Sequence, residues 1–155
     1  MKAAELASKA LAALAAAFLG AMMLLTAADV VMRWTLGRPI HGTFELIELG
    51  LACAVFLALP AVFLRDENLV VDAIDAVAKP STVRRLDLAG AVLSLLTLAA
   101  MLYSMVPLAR DMYELGDVTA DLSIPKTVYW VPVLLGVLGS LLMTIVYIVR
   151  WRARP

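Results

Sequence analysis

Charged residues in this chain fall in clusters, and long uncharged stretches separate the clusters. The first stretch runs from Ala10 to Ala28, nineteen residues, and is followed by Asp29 and Arg33. The second, Leu49 to Leu64, reaches spanning length as Thr43 to Leu64 when Glu45 and Glu48 occupy interfacial first turns. The third is Leu88 to Ala109 and the fourth Thr127 to Val149. About 20 helical residues at about 1.5 Å each cover roughly 30 Å, the thickness of a hydrocarbon core. Backbone amides find no water there, so each stretch must be helical or part of a closed barrel. None alternates with period two, as a barrel strand would. The pattern predicts an all-α integral membrane protein, a single membrane domain with four transmembrane helices over about 10–32, 43–64, 86–109 and 127–150.

The connections carry their own signals. Gly37, Pro39 and Gly42 punctuate a tight turn between helices one and two. Between helices two and three, Val70, Val71, Ile74, Val77 and Ala78 recur at helical spacing, with Asp72, Asp75 and Lys79 opposite them. With Asn68 as cap and Pro80 as terminator, this predicts a short interfacial amphipathic helix over about 68–79, resting on membrane lipid or on a partner. The third connection is acidic up to Pro125, a favourable first-turn residue for helix four, and Ser123 is expected to help cap that helix.

Composition reinforces this picture: 63% of residues are apolar, 17% are charged, and mean hydropathy is +0.92. Net charge is zero, which leaves no basic field to hold nucleic acid. The cations set the orientation. Lys2 and Lys9, Arg65, Lys79, Arg84 and Arg85, and Arg150, Arg152 and Arg154 lie on one side, against Arg33, Arg38, Arg110 and Lys126 on the other. Both termini are therefore expected to be cytoplasmic. Trp34, Tyr129 and Trp130 mark the outer interface, and Tyr147 and Trp151 the inner one. Lys2 and Lys9 before an alanine-rich run, with Thr26-Ala27-Ala28 after it, also suit a secretory signal. Nineteen apolar residues exceed a usual signal core, however, and lead straight into a second span, so the run is taken as a helix.

Three polar constellations are candidate sites. Asp29 and Arg33 are four apart and share a helix face; Glu45 and Glu48 are three apart and share another. Hairpin geometry brings both pairs to the outer boundary, where Arg33 has either glutamate within reach. The third constellation is the acidic outer connection with Asp111, Glu114, Asp117 and Asp121. Structural pairing, contact with a partner protein and an ion or proton site are the alternatives for the pairs. A solvated face or docking of a periplasmic partner are those for the connection. The absences narrow the function. No acidic, basic or histidine residue lies mid-span, where proton relays and substrate sites show themselves. One histidine, His41, in a turn, excludes paired haem ligation, and one cysteine, Cys53, excludes a disulfide or dithiol. No phosphate loop or nucleophilic triad is visible. The chain is not expected to be an enzyme, and no cofactor or metal site is expected. Gly136, Gly139 and Ser140 offer a small-residue face for close helix contact.

The stretch RWTLGRPIHGTFELIELGLACAVFLALP resembles the first hairpin of the small, DctQ-like permease subunit of TRAP (tripartite ATP-independent periplasmic) transporters. Arg33, Trp34, Gly37, Pro39, Glu45 and Glu48 match that family's order of an arginine and aromatic after helix one, a Gly-x-Pro-like turn and glutamates opening helix two. NLVVDAIDAV resembles its inner-loop signature around Val71 and Asp72, with Asn68 where histidine is frequent. DLSIPKTVYWVP is similar to its approach to helix four through Leu122, Pro125 and Trp130. The glutamates are often adjacent in the family and are three apart here. The resemblance covers about Leu11 to Trp151. It implies a scaffold or accessory subunit in the bacterial inner membrane, partnered by a large permease subunit that carries the sodium and substrate sites. A periplasmic substrate-binding protein would deliver an organic acid. The alternative is an autonomous small homo-oligomeric transporter using Ser94, Thr97 or Ser140.

Overall fold

The computed structural model describes residues 2–65 and 80–152. The expected interfacial helix over 68–79, with Asp72, lies outside the described residues. Four long helices follow in order: α1 (Lys2–Leu36), α2 (Thr43–Arg65), α3 (Pro80–Leu115) and α4 (Thr127–Arg152). Among the described residues the sole β feature is one isolated bridge, Val118 to Pro125. The chain is an all-α, multi-pass membrane protein. Every helix overruns its apolar run. A helix of 35 or 36 residues, such as α1 or α3, is about 50 Å long, well beyond a hydrocarbon slab of about 30 Å. Hydropathy marks where lipid begins, whereas helical hydrogen bonding continues into the polar flanks.

At the end of the molecule that carries the first and third connections, here called the rim, α1 and α3 stop in the same way. Each is followed by a glycine in the left-handed region, Gly37 at φ 67° and Gly116 at φ 64°. A Cβ is costly there, so glycine lets the chain leave the helix axis. The helix α2 opens with Leu46 N–H donating to the Gly42 carbonyl over 3.1 Å. The first turn of α4 is tightened by Val128 N–H to Pro125 O and Tyr129 N–H to Lys126 O, at 2.9 and 3.1 Å.

The helices do not pack as a square bundle. α1 lies against α2, α2 against α4, and α3 against α4, so the order in space is α1–α2–α4–α3. The inner pair is accordingly more enclosed: 33% of the most apolar window of α4 and 28% of that of α2 is buried, against 6% for α1 and α3. Residues at i, i+4, i+8 on α2 and i, i+4, i+7 on α1 build their seam, where Leu49, Cys53 and Leu57 meet Leu11, Ala15 and Phe18. One turn nearer the rim, the Met22 side chain fills the space over Gly50.

The α2–α4 seam is tighter. Gly136 backs directly onto the Phe56 backbone carbonyl, and a Cβ on Gly139 would sit 2.8 Å from the Pro60 ring. Pro60 has no N–H, so the helix leaves the Phe56 carbonyl, four residues earlier, without its usual donor. The glycine backbone approaches at that position, and a Cα–H donor is the natural substitute. Ser140 and Val137 are fully enclosed beside it. Ser140 Oγ returns a 2.8 Å bond to the Gly136 carbonyl and Thr144 Oγ1 a 2.8 Å bond to the Ser140 carbonyl, so both hydroxyls are satisfied within α4. At the far end Arg150 in α4 bonds Glu5 in α1 over 2.8 Å.

Gly136→Ala should cost about 1–3 kcal/mol, because the new methyl meets backbone rather than a mobile side chain. Gly20→Ala, with nothing within 4 Å, should stabilise α1 by up to about 1 kcal/mol. Reversible unfolding in mixed micelles reads both, and the check is the opposite sign.

Candidate functional site

Two carboxylates organise the rim. Asp29, about two turns before the end of α1, is only 6% exposed and is fully engaged. Its Oδ1 accepts the Ile40 backbone N–H at 2.7 Å, and its Oδ2 accepts Arg33 Nη2 at 2.6 Å. The Thr43 hydroxyl lies 3.3 Å from the same Oδ1 and 2.8 Å from the Ile40 carbonyl oxygen, so its single proton is shared. Residues 37–42 are thereby folded back onto the end of α1. Charge-assisted bonds of this kind are about twice as strong as neutral ones.

Glu45, in the first turn of α2, does the same for the connection between α3 and α4. Its Oε1 accepts Asp121 N–H at 2.7 Å and its Oε2 accepts Leu122 N–H at 3.0 Å. Two successive amides converging on one carboxylate form a small anion nest. Tyr129 Oη donates to the Glu45 carbonyl at 3.0 Å and so ties α4 to the same turn. His41 Nε2 lies 3.0 Å from the Asp121 carbonyl oxygen, a contact that requires the proton on Nε2. The connection itself is a miniature hairpin. Thr119 N–H bonds Ile124 O and Lys126 N–H bonds Asp117 O, each at 2.9 Å, and Ile124 N–H bonds Thr119 Oγ1 at 3.0 Å. Its tip turns at Ser123, φ 54°, and inserts the Leu122 side chain where a Cβ of Gly42 would stand.

The structure thus brings Asp29 and Arg33 together but gives Glu45 to a backbone 76 residues away. The Arg33 side chain remains 64% exposed beyond its pair with Asp29. Trp34 is 87% exposed beside it, and Gly37 and Pro39 lie in the turn. Pro125 forms the isolated bridge just before α4, and its carbonyl accepts from Val128. Ser123 is no cap for α4; it occupies the left-handed position of the hairpin tip instead. His41, Thr43, Thr119 and Tyr129 were not among the expected site residues. Their sequence neighbourhoods announce turns and helix starts, which says nothing of what lies across the fold.

Glu48 is separate from Glu45. With Ala52 and Phe56 it forms an i, i+4, i+8 stripe on α2 that lines a cavity of about 400 Å³. Met105 and Met112 of α3 form the opposite wall, and Tyr129, Trp130 and Val133 of α4 the floor. Thr119 and Lys126 border it at the rim. Among the described residues no group of three or more His, Cys, Asp or Glu side chains is placed to hold a metal ion.

Residues 22–154 match the family described as tripartite ATP-independent periplasmic transporters, DctQ component. The chain belongs to that family. No curated protein and no solved structure matches it. As a DctQ component it is a small membrane subunit of a TRAP transporter, a part of a transport system rather than of an enzyme family. The matched region contains both the latched rim and the groove.

Glu45→Ala should release the 117–126 hairpin, since two part-buried N–H donors lose a charged acceptor worth about 1.5–3 kcal/mol per bond. Hydrogen exchange at the Asp121 and Leu122 amides should accelerate, while Arg110→Gln, which removes only the exposed 2.9 Å pair with Glu114, should leave it unchanged.

Proposed function

We propose that this DctQ component is the static scaffold subunit of its transporter, assembling with a large permease subunit that performs sodium-coupled uptake of an organic acid. A periplasmic binding protein delivers that acid to the rim. The protein sits in the bacterial inner membrane with both termini cytoplasmic, in keeping with nine cationic residues on the terminal side and four on the rim side.

One observation carries the reading: among the described residues charge is confined to the helix ends, and the two buried carboxylates there, Asp29 and Glu45, hold the chain's own backbone. Within the spans the buried polar side chains Ser140 and Thr144 bond carbonyls of their own helix, and Thr97 Oγ1 does the same with Leu93 O at 2.9 Å. An ion-coupled carrier needs polar groups turned to a cavity at mid-depth. A scaffold needs the opposite, a fixed rim and apolar flanks. The lightly buried α1 and α3 leave such flanks for lipid and for the large subunit, and Arg33 and Trp34 stand exposed where an arriving binding protein would touch.

The test is purification of C-terminally tagged protein from native membranes in mild detergent, with partners weighed by mass spectrometry. One large polytopic protein at one-to-one stoichiometry is the expected result. A partner-free homo-oligomer that transports by itself would overturn the scaffold reading. In the intact complex, Arg33→Glu should leave assembly unchanged and weaken uptake by about tenfold, as expected from losing a charge-assisted contact with the binding protein.

A further inference from the structure

Pro60 in α2, Pro107 in α3 and Pro132 in α4 each stand inside a helix. Each removes the N–H that would bond the carbonyl four residues earlier, so the carbonyls of Phe56, Tyr103 and Val128 lose their usual donor. Two of these losses are accounted for. Gly136 closes on the Phe56 carbonyl, and Val128 stands in the interfacial first turn of α4. The third is not, because among the described residues no hydrogen bond from outside α3 reaches the Tyr103 carbonyl.

This carbonyl lies well inside the membrane. Asp87 and Arg110 bracket the apolar stretch of α3 with about 34 Å of helix, which puts the Tyr103 Cα about 7 Å on the rim side of the mid-plane. Helical side chains lean toward the helix N-terminus, which for α3 is the end away from the rim. The Tyr103 hydroxyl is therefore directed deeper into hydrocarbon rather than up to the nearer headgroups. Tyr103 is 83% exposed, and among the described residues neither its hydroxyl nor that of the exposed Ser104 is hydrogen-bonded. Donors and a backbone acceptor thus stand together on an outward face. Ala100, also exposed and one turn closer to the mid-plane, leaves room for a second backbone to approach. The buried residues Ala91, Leu98 and Ala109 are on the other side of the helix.

Lipid tails can meet none of these polar groups, and unmet backbone groups are not left facing hydrocarbon. The outward face of α1 has no such need. It contains no proline, and its exposed hydroxyls, Thr26 and Thr35, bond the Met22 and Val31 carbonyls at 2.8 and 2.7 Å. A second copy of this chain is a poor match for α3. Two copies about an axis normal to the membrane set like residues at like depth, so Tyr103 and Pro107 would meet themselves with no small residue opposite the carbonyl.

We propose that the Ala100–Pro107 face of α3 receives one transmembrane helix of the large permease subunit. That helix brings a glycine to the Tyr103 carbonyl, as Gly136 does to Phe56, and an oxygen acceptor to the Tyr103 hydroxyl. The inference rests on the scaffold reading and divides its two free flanks, α3 to protein and α1 to lipid.

A photo-activated cross-linker at Leu93 or Leu96 of α3, or at Leu19 or Met23 of α1, reads which flank meets protein in the whole transporter in native membranes. The α3 positions should label the large subunit and the α1 positions only lipid. Tyr103→Phe and Pro107→Ala, the second of which restores the missing N–H, should each lower the large subunit retained in mild detergent by about three- to tenfold. Thr26→Ala should leave it unchanged. In the isolated chain Pro107→Ala should raise thermal stability instead, a reversal of sign that a purely structural proline would not give. Labelling of the large subunit from α1 and not α3, labelling of a second copy from Leu96, or unchanged retention in both Tyr103→Phe and Pro107→Ala would overturn the inference while leaving the scaffold reading in place. Absence of any large subunit beside the unaltered chain would remove both.

Discussion

The close approach of α2 and α4 sets the arrangement of the other two helices. In a bilayer, lipid tails are as apolar as leucine, so burial alone does not draw helices together, and contact depends on how closely backbones can come. Gly136 and Gly139 remove the side chains that would hold α4 off, and Pro60 leaves the Phe56 carbonyl free to receive the Gly136 backbone. Each half of this seam accounts for the other. A proline in the middle of a span would leave an unsatisfied carbonyl in hydrocarbon, and two glycines alone would leave a gap. With α2 and α4 fixed at this distance, α1 finds a surface on α2 and α3 one on α4, and the spatial order α1–α2–α4–α3 follows.

The rim is held on a different principle. Its connections bury little beyond Leu122, so charged acceptors fix their backbones. Asp29 holds the first connection and Glu45 the third, each through backbone N–H groups, and Leu122 seated over Gly42 joins the two. Loops that serve as a docking surface gain from being ordered beforehand, since an ordered surface pays less entropy on binding. A rigid rim above helices without mid-span charge suits the scaffold role proposed for this TRAP subunit.

Much of the architecture was legible from the residues in order. The four apolar stretches, Gly37 after helix one and the small face of Gly136, Gly139 and Ser140 all appear where they were expected. Asp29 and Arg33 at i, i+4 were readable as one face and do form a pair. The partner of Glu45 was not, because it is a pair of main-chain amides in a hairpin that no side-chain pattern announces. Ser123 misled for a related reason: serine before an apolar run resembles a helix cap, but here the hairpin demanded a left-handed residue at that point.

By itself the sequence determined everything that depends on neighbours within a few positions: helix formation, span length, the glycine stops, and the family signature over residues 22–154. These follow from short-range hydrogen bonding and from transfer of each stretch into hydrocarbon, both additive along the chain. The tertiary structure alone decided which helices touch, that Phe56 faces Gly136, that Glu45 holds Asp121 and Leu122, and that Glu48 is left in a groove. Each of those depends on contacts between groups far apart in sequence, where spacing carries no information and only the meeting of backbones in three dimensions selects the partner.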